Sequence, residues 1–116
     1  MKTPKVDSFR FGKIVIDGVS HTRDVIILPD RVIGNWWRKS GHTLLEEDLQ
    51  EIFKKSPEIV IVGLGTISRM KIPAETRCAI ESAGIKLIAL SSKQAWVQYN
   101  QLSEDKKVAA AIHLTC

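Results

Sequence analysis

Two stretches of this sequence carry side chains whose types and spacing could do chemistry. The first is Gly63-Leu64-Gly65-Thr66-Ile67-Ser68-Arg69-Met70-Lys71, placed directly after the β-branched run Ile59-Val60-Ile61-Val62. Glycines let backbone N–H groups approach a phosphate, and α/β folds bind ligands where a strand exits. Arg69 and Lys71 would add positive charge. Gly63, Gly65, Thr66, Arg69 and Lys71 are thus candidates for holding a small anionic ligand, a nucleotide or a phosphorylated metabolite. The dinucleotide fingerprint is matched poorly: Ser68 stands where its third glycine belongs. Leu90 is followed by serines rather than by an acidic residue that could hold a ribose. A tight strand-exit turn explains the same residues without a ligand.

The second stretch is Trp36-Trp37-Arg38-Lys39 with His42. Adjacent residues on an extended chain face opposite ways, so one indole can enter the core while the other borders a groove. Trp and Arg are favoured at binding hot spots, and an aromatic ring can stack a base. Trp36, Trp37, Arg38 and His42 are therefore candidates for partner binding. The plainer reading has both rings covering a sheet edge, with Arg38 and Lys39 solvated.

Other groupings yield no catalytic set. In His113-Leu114-Thr115-Cys116 the His and Cys of an extended chain face opposite ways, so a dyad would need a bend. No pair of ligands has zinc spacing, and His21 and His42 stand alone. Glu46, Glu47 and Asp48 fall in the first turn of an expected helix, where negative charge offsets the macrodipole. Neither a metal nor a cofactor is expected.

The elements that must position these residues divide the chain in two. The first third reads as short strands: Phe9 to Phe11, Ile14-Val15-Ile16 before the turn Asp17-Gly18, Val25 to Leu28 before Pro29-Asp30, and Arg31 to Ile33. A small antiparallel sheet is expected there. From Thr43 the period becomes helical. Thr43 and Glu46 have capping-box spacing, and Leu45, Leu49, Ile52 and Phe53 share one face up to Ser56-Pro57. Strand Ile59–Val62 has no polar face, as expected of one covered on both sides. Pro73 suits the first turn of the next helix, in which Cys78 reads as a small buried hydrophobe, and Gly84 suits its end. Lys86–Leu90 reads as a second inner strand, Ser91 to Gln94 as the cap of a third helix, and Val108–His113 as the last strand. Alternation of strand and helix argues for parallel pairs with right-handed crossovers. The expected class is α/β: three layers, a central mixed sheet with helices on both faces, and an N-terminal β-hairpin layer.

Composition agrees with that class. The 116 residues fit one domain, with 44% hydrophobic and 26% charged residues. No apolar run nears the roughly 20 residues needed to span a bilayer, and no membrane role is expected. The N-terminus lacks a signal or transit pattern, which makes the cytoplasm the expected location. Cys78 and Cys116 form no C-x-x-C pair, in keeping with a reducing compartment. The net charge of +4 is spread along the chain and reads as an ordinary solvated surface.

Several segments resemble one family when taken in order. They are Phe9-Arg10-Phe11-Gly12, Asp24-Val25-Ile26-Ile27, Trp37 with Gly41-His42, Ile61-Val62-Gly63-Leu64-Gly65, Ala95-Trp96-Val97-Gln98-Tyr99-Asn100, and His113-Leu114-Thr115-Cys116. Together they resemble the Mth-nine-three-eight-like family of domains of unknown function, from about Ser8 to Cys116, leaving residues 1–7 as a tail. Relatives of that family include the mitochondrial complex I assembly factor three and an adipogenesis-associated domain protein. The resemblance implies a three-layer fold with a central mixed sheet. It implies no established reaction, cofactor or catalytic residue. The expected function is a non-enzymatic protein-interaction or assembly module, with binding of a small anionic ligand at the Gly63-Leu64-Gly65 loop as the alternative. A protein partner and self-association fit this reading, and nucleic acid ranks third.

Overall fold

Residues 3–116 are described by the computed structural model. Strands β1 (Val6–Arg10), β2 (Lys13–Ile16) and β3 (Val19–His21) form an antiparallel sheet of order β1-β2-β3. Asp17 and Gly18, both at positive φ, make the turn from β2 to β3. The main sheet has the order β5-β4-β8-β6-β7, from β4 (Val25–Ile27), β5 (Val32–Ile33), β6 (Ile59–Gly63), β7 (Lys86–Leu90) and β8 (Val108–Ile112). Strands β6, β7 and β8 run parallel, whereas β4 is antiparallel to β8 and to β5.

Two apolar clusters sandwich this mixed sheet. On one face Ile61, Ala110 and Ile112 meet Ile14 and Ile16 of the small sheet and Ala95 and Tyr99 of helix α3 (Ser92–Leu102). On the other face Val60, Val62, Ala109 and Ala111 meet Leu49, Ile52 of helix α1 (Gln50–Lys55) and Ile80 of helix α2 (Ala74–Ser82). The three consecutive alanines of β8 sit mid-sheet, where small side chains let both covering layers come close. The result is the three-layer α/β body expected from the alternation of strand and helix.

The structure differs from the sequence reading in five places, each with a physical cause. Strands β4 and β5 join the main sheet instead of the hairpin layer, because Val25, Ile26 and Ile27 are buried on both faces and need cover above and below. Strand β7 is an edge, not an inner strand. An apolar run reports cover on its two faces and says nothing about lateral neighbours. Thr43 caps no helix; a 3-10 turn at Glu46–Leu49 precedes α1, and Asp48 Oδ2 accepts from the Leu45 N–H at 2.9 Å. Cys78 is exposed, since the buried face of α2 is carried by Thr76 and Ile80. Strand β1 begins at Val6, within the stretch read as a tail, because the Val6 side chain is buried and its backbone bonds the Asn100 amide in both directions. The rest of that stretch includes Met1 and Lys2, which lie outside the described residues.

Candidate functional site

Register brings the two sequence candidates to one end of the main sheet. Gly63 at the end of β6 is level with Leu90 of β7 and Ile112 of β8, and Val25 at the start of β4 is also level with Ile112. The segments leaving there are residues 22–24, 34–43, 64–73, 91–93 and 113–116. This is the end of a parallel sheet where ligands are commonly bound.

Segment 113–116 crosses that end and takes two of the glycine loop's backbone donors. His113 N–H donates to the Gly63 carbonyl at 3.0 Å. Thr66 N–H donates to the Thr115 carbonyl at 2.6 Å, and Arg69 N–H to the Cys116 carbonyl at 3.0 Å. Gly65, at φ 107°, has its N–H bonded to the Ser92 hydroxyl at 2.9 Å. A Cβ on Gly65 would lie 2.1 Å from the Cys116 carbonyl carbon, so this approach needs glycine. A Cβ on Gly63 would lie 2.8 Å from Ser92 Oγ. Ser92 is fully buried, donates to the His113 carbonyl and thereby clamps β8 to the loop. The Thr66, Arg69 and Lys71 side chains point out and are exposed.

The tryptophan segment is organised by a buried ion pair. Arg38 is 8% exposed, and its Nη1 donates to Asp24 Oδ2 at 2.7 Å. Its Nε and Nη2 both donate to the Gly41 carbonyl, at 3.2 and 2.8 Å, closing the loop that carries His42. The guanidinium lies 4.8 Å from the centre of the Trp36 ring, a cation–π contact. His113 Nδ1 is 2.7 Å from the same Asp24 oxygen, while Asp24 Oδ1 accepts from the Leu114 N–H at 2.8 Å. Burial pushes the Asp24 carboxyl up. The hydrogen bonds from His113, Leu114 and Arg38 outweigh that and hold it below the ordinary carboxylate range. An ionised carboxylate only accepts, so His113 presents its Nδ1–H to Asp24 and turns Nε2 towards Thr115 Oγ1, 3.4 Å away. The exposed His42 ring meets the His113 ring edge-on, with centroids 5.7 Å apart.

The two indoles separate as extended geometry requires. Trp36 is 9% exposed and donates Nε1–H to the Asp48 carbonyl at 3.0 Å. Trp37 is 76% exposed. It stands on the rim of a groove of about 770 Å³ lined by Arg23, Asn35, Lys39, His113 and Thr115. Backbone pairing links the two candidate stretches, since Lys71 N–H donates to the His42 carbonyl at 2.8 Å and the Lys71 carbonyl accepts from Leu44. Sequence reasoning missed Asp24, the residue that joins the tryptophan segment to segment 113–116. It lies 89 residues from His113 and carried no spacing signal.

Among the described residues no three His, Cys, Asp or Glu side chains gather to hold a metal ion, and no helix is long and apolar enough to cross a membrane.

This architecture recurs in solved structures. A protein from Bartonella henselae described as an outer membrane protein superposes with a TM-score of 0.85, at 23% identity over 99% of this chain and 98% of its own. The conserved hypothetical protein PH1505 from Pyrococcus horikoshii gives 0.83, at 25% identity over 97% and 99%. A Mth938-like domain from Bordetella pertussis gives 0.77, at 18% identity over 95% and 85%. Residues 6–113 match the family described as proteins of unknown function, DUF498/DUF598. The chain belongs to this family, the Mth938-like domains expected from its ordered motifs.

Proposed function

We propose that this domain is a non-enzymatic protein-interaction module whose docking face is the groove rimmed by Trp37. The observation that carries this reading is the contrast between Trp37 and what lies beneath it. A large indole stands in solvent, on a backbone pinned from inside by Trp36, Arg38, Asp24 and His113. Ordering that backbone in advance lowers the entropic cost of binding, and exposed aromatics on such supports commonly anchor partners. Arg38 serves as a strut, with all its contacts inside the protein, while Trp37, Lys39 and His42 face outward.

The alternative, a small anion cradled by Gly63 to Lys71, has less support. Its N–H groups at Gly65, Thr66 and Arg69 already have partners within the chain, so a phosphate would have to displace the Ser92 hydroxyl and segment 113–116.

A photo-crosslinking amino acid placed at position 37, with a control at the exposed Val19 on the small sheet, tests the reading. Crosslinks to protein at position 37 and none at position 19 are expected. Equal labelling at both positions would remove the docking face.

A further inference from the structure

The charges that look dispersed along the sequence are gathered by the topology. The exposed cations Arg10, Arg23, Lys39, Arg69, Lys71 and Lys93 all lie on segments that meet at the carboxyl end of β6 and β8. Arg10 joins them because the Phe11-Gly12 turn is tied there, Gly12 N–H donating to the Leu114 carbonyl at 2.8 Å. Among the described residues only Lys39 of these six makes an ion pair, at 4.0 Å to Glu47, with both partners in solvent. The acid deepest in this end, Asp24, is already neutralised by Arg38.

Large apolar side chains gather at the same end. Phe11 is 62% exposed and Ile67 is 65% exposed, and both flank segment 113–116 through the backbone bonds of Gly12 and Thr66. With Trp37 they make three apolar projections on three separate loops, on the same end as the six exposed cations. On the adjoining helical side Glu46, Glu47 and Glu75 line a separate depression. That acidic border would repel a negative partner and confine it to the end carrying Trp37. The opposite end mixes its charges: exposed Lys86 and Lys106 lie there with Asp7, Asp17 and Glu58, whose carboxylates accept from backbone N–H groups, and Lys55 pairs with Asp30.

We infer that the partner is an acidic polypeptide segment with apolar side chains among its carboxylates, laid across this end so that Trp37, Phe11 and Ile67 meet the apolar residues. The inference rests on the docking role proposed above and adds the chemistry of what docks. The groove is the reason for choosing a polypeptide over a flat lipid surface: beside Trp37 a cleft of about 770 Å³, with His113 and Thr115 in its lining, leaves room for a chain.

The test uses the whole protein and an array of synthetic peptides that vary independently in net charge and apolar content. Hits should be rich in Asp and Glu with interspersed Leu, Phe or Trp. The double variant Arg23→Glu/Lys39→Glu should weaken a hit by about tenfold or more at low salt. The double variant Lys86→Glu/Lys106→Glu, with the same change in net charge away from this end, should leave it within about twofold. Phosphatidylserine vesicles and single-stranded DNA serve as competing anions. Hits that are neutral or basic, yet lost in Trp37→Ala, would overturn the acidic partner and leave the docking face standing. Hits indifferent to Trp37→Ala would overturn both. Binding to vesicles or DNA without binding to any peptide would replace the polypeptide by that anion.

Discussion

The loop from Gly63 to Lys71 and the segment from Trp36 to His42 sit at the same end of the sheet and treat their polar groups in opposite ways. The glycine loop turns the donors of Gly65, Thr66 and Arg69 inward, to Ser92, Thr115 and Cys116. The tryptophan segment divides residue by residue. Trp36 and Arg38 build the interior, and Trp37 and Lys39 are left outside. A glycine-rich turn after a strand therefore has two uses, approach to a ligand or approach to the chain's own backbone. Here the second use is realised, with segment 113–116 held against the loop by two of its N–H groups.

That contrast predicts a graded series of effects. The largest is for Gly65→Ala, whose Cβ would enter the Cys116 carbonyl at a φ that disfavours L side chains; thermal or urea unfolding should show a loss of about 3 kcal/mol or more. Should the glycine loop tolerate alanine, the claim that it grips segment 113–116 is wrong. Next is Arg38→Ala, which leaves the Asp24 carboxylate with only His113 and the Leu114 N–H as partners and frees the Gly41 carbonyl, at about 3 kcal/mol. A solvated arginine would cost almost nothing in the same measurement. Ser92→Ala removes a buried hydroxyl that both donates and accepts, and should cost about 2 kcal/mol. Trp37→Ala should stay within about 0.5 kcal/mol of the parent, because its ring is in solvent.

Acid sharpens the contrast further. The folded-state pKa of Asp24 is depressed by its hydrogen bonds, so the stability it contributes is present above the unfolded value near 4 and is lost as pH falls through the lower folded value. Unfolding monitored as pH is lowered from about 4 should therefore show a loss of stability that Asp24→Asn reduces, leaving the part carried by Asp30, whose carboxyl the Lys55 hydrogen bond also holds low. Persistence of the full acid dependence in that variant would place its origin elsewhere.

Much of this fold was legible because its signals are local. The β-branched run of β6, Gly84 after α2 and the Ser91 cap of α3 each announce an element from neighbouring residues. What could not be read was pairing between distant segments. Nothing around Val25 says that it will lie level with Ile112, and nothing around Lys86 says that no strand will flank its outer edge. The candidate site follows the same division. Alternation of Trp36 and Trp37 can be read from extended geometry alone. The Arg38–Asp24–His113 cluster depends on β4 lying next to β8, and the clustering of Arg10, Arg23, Arg69 and Lys93 depends on which strand ends share a level. Charge that seems dispersed in one dimension can be concentrated in three.

The most direct measurement sets binding beside stability in one variant. Trp37→Ala should unfold at the parent's midpoint while losing about tenfold or more in affinity for an acidic peptide recovered from the array, read by fluorescence anisotropy. Unchanged affinity at an unchanged midpoint would contradict the account, because the indole would then be exposed without being used.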